Sequence, residues 1–391
     1  MNNCLLQNKK VAVVGGGPGG LILARLLQLK GCNINVYERD KSQRSRVQGA
    51  IVDLHFESGL KAIKAAGLMD AFKNHYMVGA DKFRLVDPGG RILIDEERKI
   101  SDPDFTDEHF RPEIDRGALR DIIIDVLKPG TVIWDSHLIN LKPLDGGWAL
   151  YFKNGKSAEA DLVIGADGYR SLIRPYLTDI KAHYSGATII QGEIDQPETD
   201  CPEMYKMADQ ANLMVMGQGS TLVVQPRGDG GLTFHAISLY PENWITDCGI
   251  DFKSPVAVRK YLTTRYKEWN PVFFTLFRSC YQFTPRPLNY YPFDQKWKTV
   301  PNLTILGDAA HLMPPNGEGV NLAMLDALDL SDYLTSGQYK NLYDAINAYE
   351  KLMLERSSGL CRESVEGIAD FAAPSADSIN GYLEIFNKRP K

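Results

Sequence analysis

Lys10 to Val14 form a short apolar, β-branched run, and Gly15, Gly16, Gly17, Pro18, Gly19 and Gly20 follow it directly. The next stretch, LILARLLQLK, sets Leu23, Leu26, Leu27 and Lys30 at helical spacing. The glycines therefore fall between a buried strand and a helix N-terminus. Three further apolar runs end in a polar turn: INVYE at Glu38, DLVIGADG at Gly165, Asp167 and Gly168, and LTILGD at Gly307 and Asp308. This is the pattern of a parallel sheet, whose ligands lie beyond the C-terminal ends of its strands. Ile114 to Val126 predicts a helix with Leu119, Ile122 and Ile123 on one side. Arg116 and Arg120, at i and i+4, fit a solvated face, although Arg116 in the first turn could also contact a ligand. NLAMLDALDLSDYL predicts a helix with Leu322, Leu325, Leu328 and Leu330 mostly inward.

Between about His183 and Pro285 the pattern changes to period two. ATIIQGEI, NLMVMGQ, STLVVQP and LTFHAISL read as strands of an antiparallel sheet with one face toward a cavity. In the last of these, alternation puts Phe234 and Ala236 on one face and His235 on the other. A final amphipathic helix is expected from Tyr339 to about Phe371.

Composition narrows the function. The 391 residues are 44% hydrophobic and 24% charged, with 44 Lys plus Arg against 49 Asp plus Glu. That profile suits a globular protein with a large core and gives no reason to expect nucleic acid as partner. Six cysteines lie far apart without a C-x-x-C pair, so neither a zinc site nor a disulfide framework is expected. Seven histidines show no H-x-x-x-H pattern, so no metal is expected either. The start, MNNCLLQNKK, lacks a signal-peptide core and no long apolar run follows, which makes the cytoplasm the expected location.

The glycine run carries the most specific chemistry. Gly15 can make the tight turn, Gly17 lets backbone approach a pyrophosphate, and Gly20 lets helix and strand pack closely, with Pro18 opening the helix. Glu38 is the acid expected on an adenosine ribose. A dinucleotide is expected here, and the turn alone does not separate FAD from NAD. Arg39, Arg44, Arg46 and Asp53 follow the second strand, as phosphate or flavin contacts or as a solvated basic turn.

GGGPGG with Glu38 and Arg39, then GADGYRSLIR, then GDAAHLMPP, in that order, resemble the single-component FAD-dependent aromatic hydroxylases. Within them the chain looks most like the tetracycline-inactivating monooxygenases, through VYERD, RVQGAIVDLH, PEIDR, TVIWD and the Lys296 to Lys298 run. The resemblance implies an α/β fold: a Rossmann-like FAD-binding domain, a mostly antiparallel substrate domain and a long C-terminal bridging helix. The expected division is 1–77, 102–180 and 286–337 for FAD, 78–101 and 181–285 for substrate, and 338–391 for the helix.

It also implies resident FAD, transient NADPH, O2 and a planar electron-rich substrate oxygenated through a flavin C4a-hydroperoxide, in a monomer. Tetracycline is the best named substrate. An FAD oxidoreductase without oxygen insertion, a hydroxylase of another aromatic metabolite and a ligand-sequestering flavoprotein are the alternatives. By position, Gly15, Gly17, Pro18, Gly20, Glu38, Arg39, Asp53, Arg116 and Asp167 would serve FAD, with Arg46 on NADPH. Asp308 would hold the ribityl chain, and Gly307, Pro315, Gly317, Gly319, Val320 and Asn321 would line the flavin ring. Gln191, Met214 and His235 are the expected substrate residues. Where the tetracycline-inactivating group has an Arg, a Phe and a His, this chain has Asn212, Val223 and Phe234, with His235 one place later. If Phe234 held the cavity position, alternation would turn His235 away from it.

Overall fold

The computed structural model describes residues 5–45, 51–80, 82–96 and 103–387. The glycine run sits on a five-stranded parallel sheet in the order Leu303–Ile305, Leu162–Gly165, Lys10–Val14, Asn33–Tyr37 and Val132–Ile133. Val11, Ala12, Val13, Leu162, Val163 and Ile164 are all buried, because helices and a three-stranded antiparallel sheet pack on the parallel one. The helices Pro18–Leu29 and Gly319–Thr335 pack on each other as well as on the sheet. A three-stranded antiparallel sheet, Leu138–Leu144, Gly147–Phe152 and Ser157–Ala160, precedes strand Leu162–Gly165. Its edge strand Leu138–Leu144 is mostly exposed and its middle strand mostly buried, with no regular alternation, so periodicity gave no warning of it.

The second large sheet has seven strands, ordered Phe283–Tyr290, His183–Ile194, Leu232–Leu239, Ser220–Pro226, Asn212–Gly217, Phe83–Val86 and Ile92–Glu96. All neighbours are antiparallel except Asn212–Gly217 with Phe83–Val86. One face is roofed by the helices Pro202–Ala208, Pro255–Arg265 and Val272–Ser279, which strand periodicity alone did not indicate. Pro255 follows Ser254, whose hydroxyl caps the backbone of Ala257. Leu213, Val215, Val224 and Phe234 meet Leu262, Tyr266, Phe273 and Phe277 in that layer.

The helix Leu342–Ala372, capped by Asn341, runs from the parallel sheet to the opposite face of the seven-stranded sheet. Ile368 and Ala372 pack there on Ala187, Ile189 and Ile237. It does not continue through residues 338–391 as one element. Pro374 can neither donate a backbone hydrogen bond nor leave its predecessor helical, and a separate helix, Ala376–Asn387, follows.

Phe234 therefore belongs to the helical layer, fully buried and edge-on to Phe277 and Phe283. Phe234→Ala should lower unfolding stability by about 3–5 kcal/mol in urea titrations. His235→Ala, on the other face, should change it by less than about 1 kcal/mol.

Candidate active site

The dinucleotide turn is built by backbone contacts that exclude side chains. Gly15 donates to the Tyr37 carbonyl at 2.9 Å. Its φ of +111° lies in the region that favours glycine, and a Cβ there would stand 2.2 Å from the Ala166 oxygen. A Cβ on Gly20 would stand 2.2 Å from the Gly15 oxygen, whereas one on Gly17 would meet nothing within 4 Å. The turn is thus tight on its protein side and open at Gly17, where helix Pro18–Leu29 presents its N-terminus. Glu38 is buried at the end of the second strand and accepts the Gly16 amide at 2.6 Å and the Asp40 amide at 2.9 Å.

Arg120 leaves the solvated face expected of it. It is 2% exposed, donates to the Gly16 carbonyl at 3.0 Å, stacks over Trp134 and lies 3.9 Å from Glu38 and 3.5 Å from Asp40. Helical spacing cannot distinguish such a guanidinium from a surface one, because the buried partners come from other segments.

Two carboxylates border the same cleft. Asp167 accepts the Leu172 amide at 2.7 Å through one oxygen, while its other oxygen is buried without a hydrogen-bond partner. Asp308 opens onto the cleft at the head of the short helix Asp308–His311. Desolvation raises both carboxyl pKa values. A buried carboxylate oxygen with no protein donor, beside an open glycine turn, fits the hydroxyls of a bound dinucleotide.

Arg174 braces this edge from behind, donating to the Ala309 and Ala310 carbonyls and to Gln295, with its face on Tyr291. Burial lowers its pKa to about 10, which still leaves it charged at neutral pH. His311 is turned inward, bonded at 2.6 Å to fully buried Asp326, which also accepts from Gly307 and Arg356.

The flavin-ring loop is fixed by Asn321. Its side-chain oxygen accepts from the His55 amide, the Gly59 amide and the Ser58 hydroxyl, and its nitrogen donates to the Asp53 and Gly317 carbonyls. The Asn321 side chain is thereby engaged by protein. Glu318 does not point to solvent but lies 3.3 Å from His55 Nδ1, while Asp53 meets His55 Nε2 at 2.9 Å. Burial opposes charge on His55, but hydrogen bonds to Asp53 and Glu318 outweigh it and push the pKa up to about 9. Gly317, Gly319 and Pro315 are exposed toward the cleft side, Val320 is half-buried, and Arg39 is exposed. Arg46 lies outside the described residues.

Across the cleft, the seven-stranded sheet presents one row of side chains. Gln191 pairs with His235, His235 with Val223, and Val223 with Met214. All four are half-buried while their strand neighbours are buried, so this row is the cleft face. His235 stands on this face, as alternation from Phe234 requires, while Phe234 lies in the helical layer on the other. Burial and the guanidiniums of Arg286 and Arg116 drive the His235 pKa down to about 4. Arg286, which sequence reasoning missed inside a proline-flanked strand, donates to Gln191 Oε1 at 2.7 Å. Asn212 is occupied elsewhere, donating to Glu113 at 2.6 Å and accepting from Gln225.

A parallel sheet with a glycine turn and bordering carboxylates, facing a second sheet across a cleft, is the architecture of a flavoprotein oxidoreductase. Residues 8–84 and 296–350 match the model of the FAD binding domain family. A monooxygenase of Emericella nidulans, asqM, is 27% identical over 381 residues, covering 83% of each chain. The Klebsiella pneumoniae HpxO structure with FAD and uric acid superposes with a TM-score of 0.76 at 19% identity, over 100% of this chain and 95% of that one. The tetracycline destructase Tet(55) gives 0.72 at 20%, over 96% and 94%. The chain thus carries an FAD-binding domain and is similar over most of its length to FAD-dependent monooxygenases.

Two tests follow from this geometry. Gly17→Val should keep the melting temperature of the apoprotein yet weaken FAD binding in fluorescence titration, because its side chain enters the open cradle. Gly20→Val should damage both. The His55 contribution has a definite sign. Its folded pKa, about 9, exceeds the ordinary 6.5, so the pairing stabilises fully below pH 6.5 and is lost as pH rises through 9. Glu318→Gln should melt below wild type at pH 6, and the gap should close by about pH 10.

Proposed function

We propose that this enzyme uses NADPH and O2 to hydroxylate a planar, electron-rich aromatic or polycyclic small molecule held against the Gln191–His235–Val223–Met214 row. The observation that carries the reading is that row: two polar and two apolar side chains in cross-strand register, joined to the cofactor side by Arg116, whose charge acts on both His235 and Asp308. FAD, when bound, supplies the activation of oxygen for insertion into the ring.

The protein's own residues bind, orient and exclude water. Gly15, Gly17 and Gly20 shape the pyrophosphate turn, Glu38 stands ready for a ribose hydroxyl beyond its two backbone bonds, and Asp167 and Asp308 offer acceptors to the remaining sugar-like hydroxyls. Arg116, at the start of helix Arg116–Ile124, projects charge toward both Asp308 and His235. Met214 and Val223 supply a dry surface for a ring. His235, neutral at physiological pH, can accept a hydrogen bond from a substrate hydroxyl, and Gln191 is oriented by Arg286 and by its own bond to Glu193 at 3.0 Å.

Tetracycline is the named candidate substrate, supported by Gln191, Met214 and His235 standing in one row. Val223 stands where the tetracycline-inactivating group carries an aromatic wall and Asn212 where it carries a cation, which favours a smaller or differently charged ring system as the alternative. The purified protein should be yellow and should lose that colour with NADPH under nitrogen. With NADPH and 18O2, the true substrate should gain one labelled oxygen by mass spectrometry; ligand-stimulated NADPH oxidation without label in any product would sink the monooxygenase reading.

A further inference from the structure

The polar end of the cleft row has an electrostatic character that narrows the substrate further. Arg286 stands on the edge strand Phe283–Tyr290 two places from Thr284, the cross-strand partner of Gln191, so Arg286 and Gln191 share a face. Its Nε is fixed by Gln191 Oε1 at 2.7 Å, and no other hydrogen bond or ion pair engages its guanidinium among the described residues. Its two terminal nitrogens are thus held in place with their donors unspent, the geometry that receives an oxyanion at two points. The nearest carboxylate in the row, Glu193, is drawn to Arg227 at 3.6 Å, within a cluster that also includes Asp195 and Asp229, and it receives the Gln191 amide.

His235 adds a second, independent sign. It lies between Gln191 and Val223, surrounded by protein, and no hydrogen bond engages its ring among the described residues. The charges that act on it are two cations, Arg286 and Arg116, which together with burial keep it neutral. A neutral imidazole can accept a proton-bearing group, which an imidazolium cannot. Arg286 is exposed, so its free donors are within reach of a ligand, and a cationic substrate would meet only repulsion from Arg286 and Arg116.

We propose that the substrate binds as an oxyanion carried on its planar ring system, a carboxylate or an enolate, with the anionic oxygen on the Arg286 guanidinium and a neighbouring hydroxyl donated to the His235 ring. The inference rests on the hydroxylase reading for the identity of the cleft, and it assigns Arg286 as the residue that selects charge. Gln191 is a positioning residue, which aims Arg286 rather than bearing the charge itself.

The test is a binding titration on the FAD-loaded enzyme without reductant, following the perturbation of the flavin absorbance. Two matched pairs serve as probes: 2,4-dihydroxybenzoate with 2,4-dihydroxybenzamide, and 4-hydroxycoumarin, an enolate at neutral pH, with 4-methoxycoumarin. In at least one pair the anion should bind roughly tenfold or more tightly than its neutral partner, the size of one charge-assisted contact. Arg286→Gln should abolish that preference while leaving the neutral partner within about twofold, and Arg286→Lys should restore part of it, since Lys keeps the charge without the planar fork. A preference in the first pair alone identifies a carboxylate, and in the second alone an enolate. Equal binding within both pairs, no binding by either anion, or a loss in Arg286→Gln of equal size for anion and neutral partner overturns the proposal. No turnover is involved, so a failure of oxygen insertion would strike the hydroxylase reading and leave this result standing, and the converse holds.

Discussion

The amide of Asn321 is the joint on which the cleft depends. A buried amide must find partners for its oxygen and its nitrogen or lose much of the benefit of burial. Asn321 does so by drawing together three stretches remote in sequence: the 53–59 segment, the Gly317 loop and the head of its own helix. The fit is close enough that a Cβ on Gly59 would come within 2.4 Å of the Asn321 oxygen. With these stretches locked, Asp53, His55 and Glu318 are brought together without further freedom. Further along, the same helix buries Asp326, which fixes the start of the GDAAH segment through Gly307 and His311 and ties it to the long helix through Arg356. One helix thus sets the cofactor edge by two polar residues.

The three histidines near the cleft show how position alone decides charge. His55 and His311 are each buried against carboxylates, and their pKa values rise despite desolvation. His235 faces guanidiniums with no carboxylate beside it, and desolvation and charge act in the same direction. The imidazoles paired with carboxylates thus brace the scaffold, and the one without such a pairing among the described residues stands in the Gln191–His235–Val223–Met214 row. Reversing the two roles would require exchanging partners, because nothing intrinsic to the side chain differs.

Much of this was legible in the sequence. The parallel sheet, the glycine turn and the period-two strands are local signals, written by neighbours along the chain. Gln191 and Met214 were singled out by the resemblance to the tetracycline-inactivating group, and the strand register sets them in one row with His235 and Val223. Alternation separated His235 from Phe234, but it could not say which face the helical layer covers, because that is decided by the contacts of Phe234 with Phe277 and Phe283, distant in sequence. Arg120, Arg286 and the His55–Glu318 pair were invisible for a like reason. Each acquires its meaning from a partner distant in sequence, and a lone Arg or Glu in a string carries no sign of being buried. The three-stranded sheet at 138–160 was missed because its edge strand is mostly exposed and its strands lack a regular apolar alternation.

The seven-stranded sheet separates two kinds of selection. Even-numbered Phe234 and its neighbours in the helical layer carry packing, so substitutions there are paid for in stability. Odd-numbered Val223 and His235, with Gln191 beside them, lie on the other face, Val223 also packing beside the long helix, and changing them leaves the helical layer intact. The chain can therefore drift among substrates at small thermodynamic cost, one alternate residue at a time, while its fold stays the same. A scaffold arranged in this way suits an enzyme class whose members share chemistry and differ in the ring they accept.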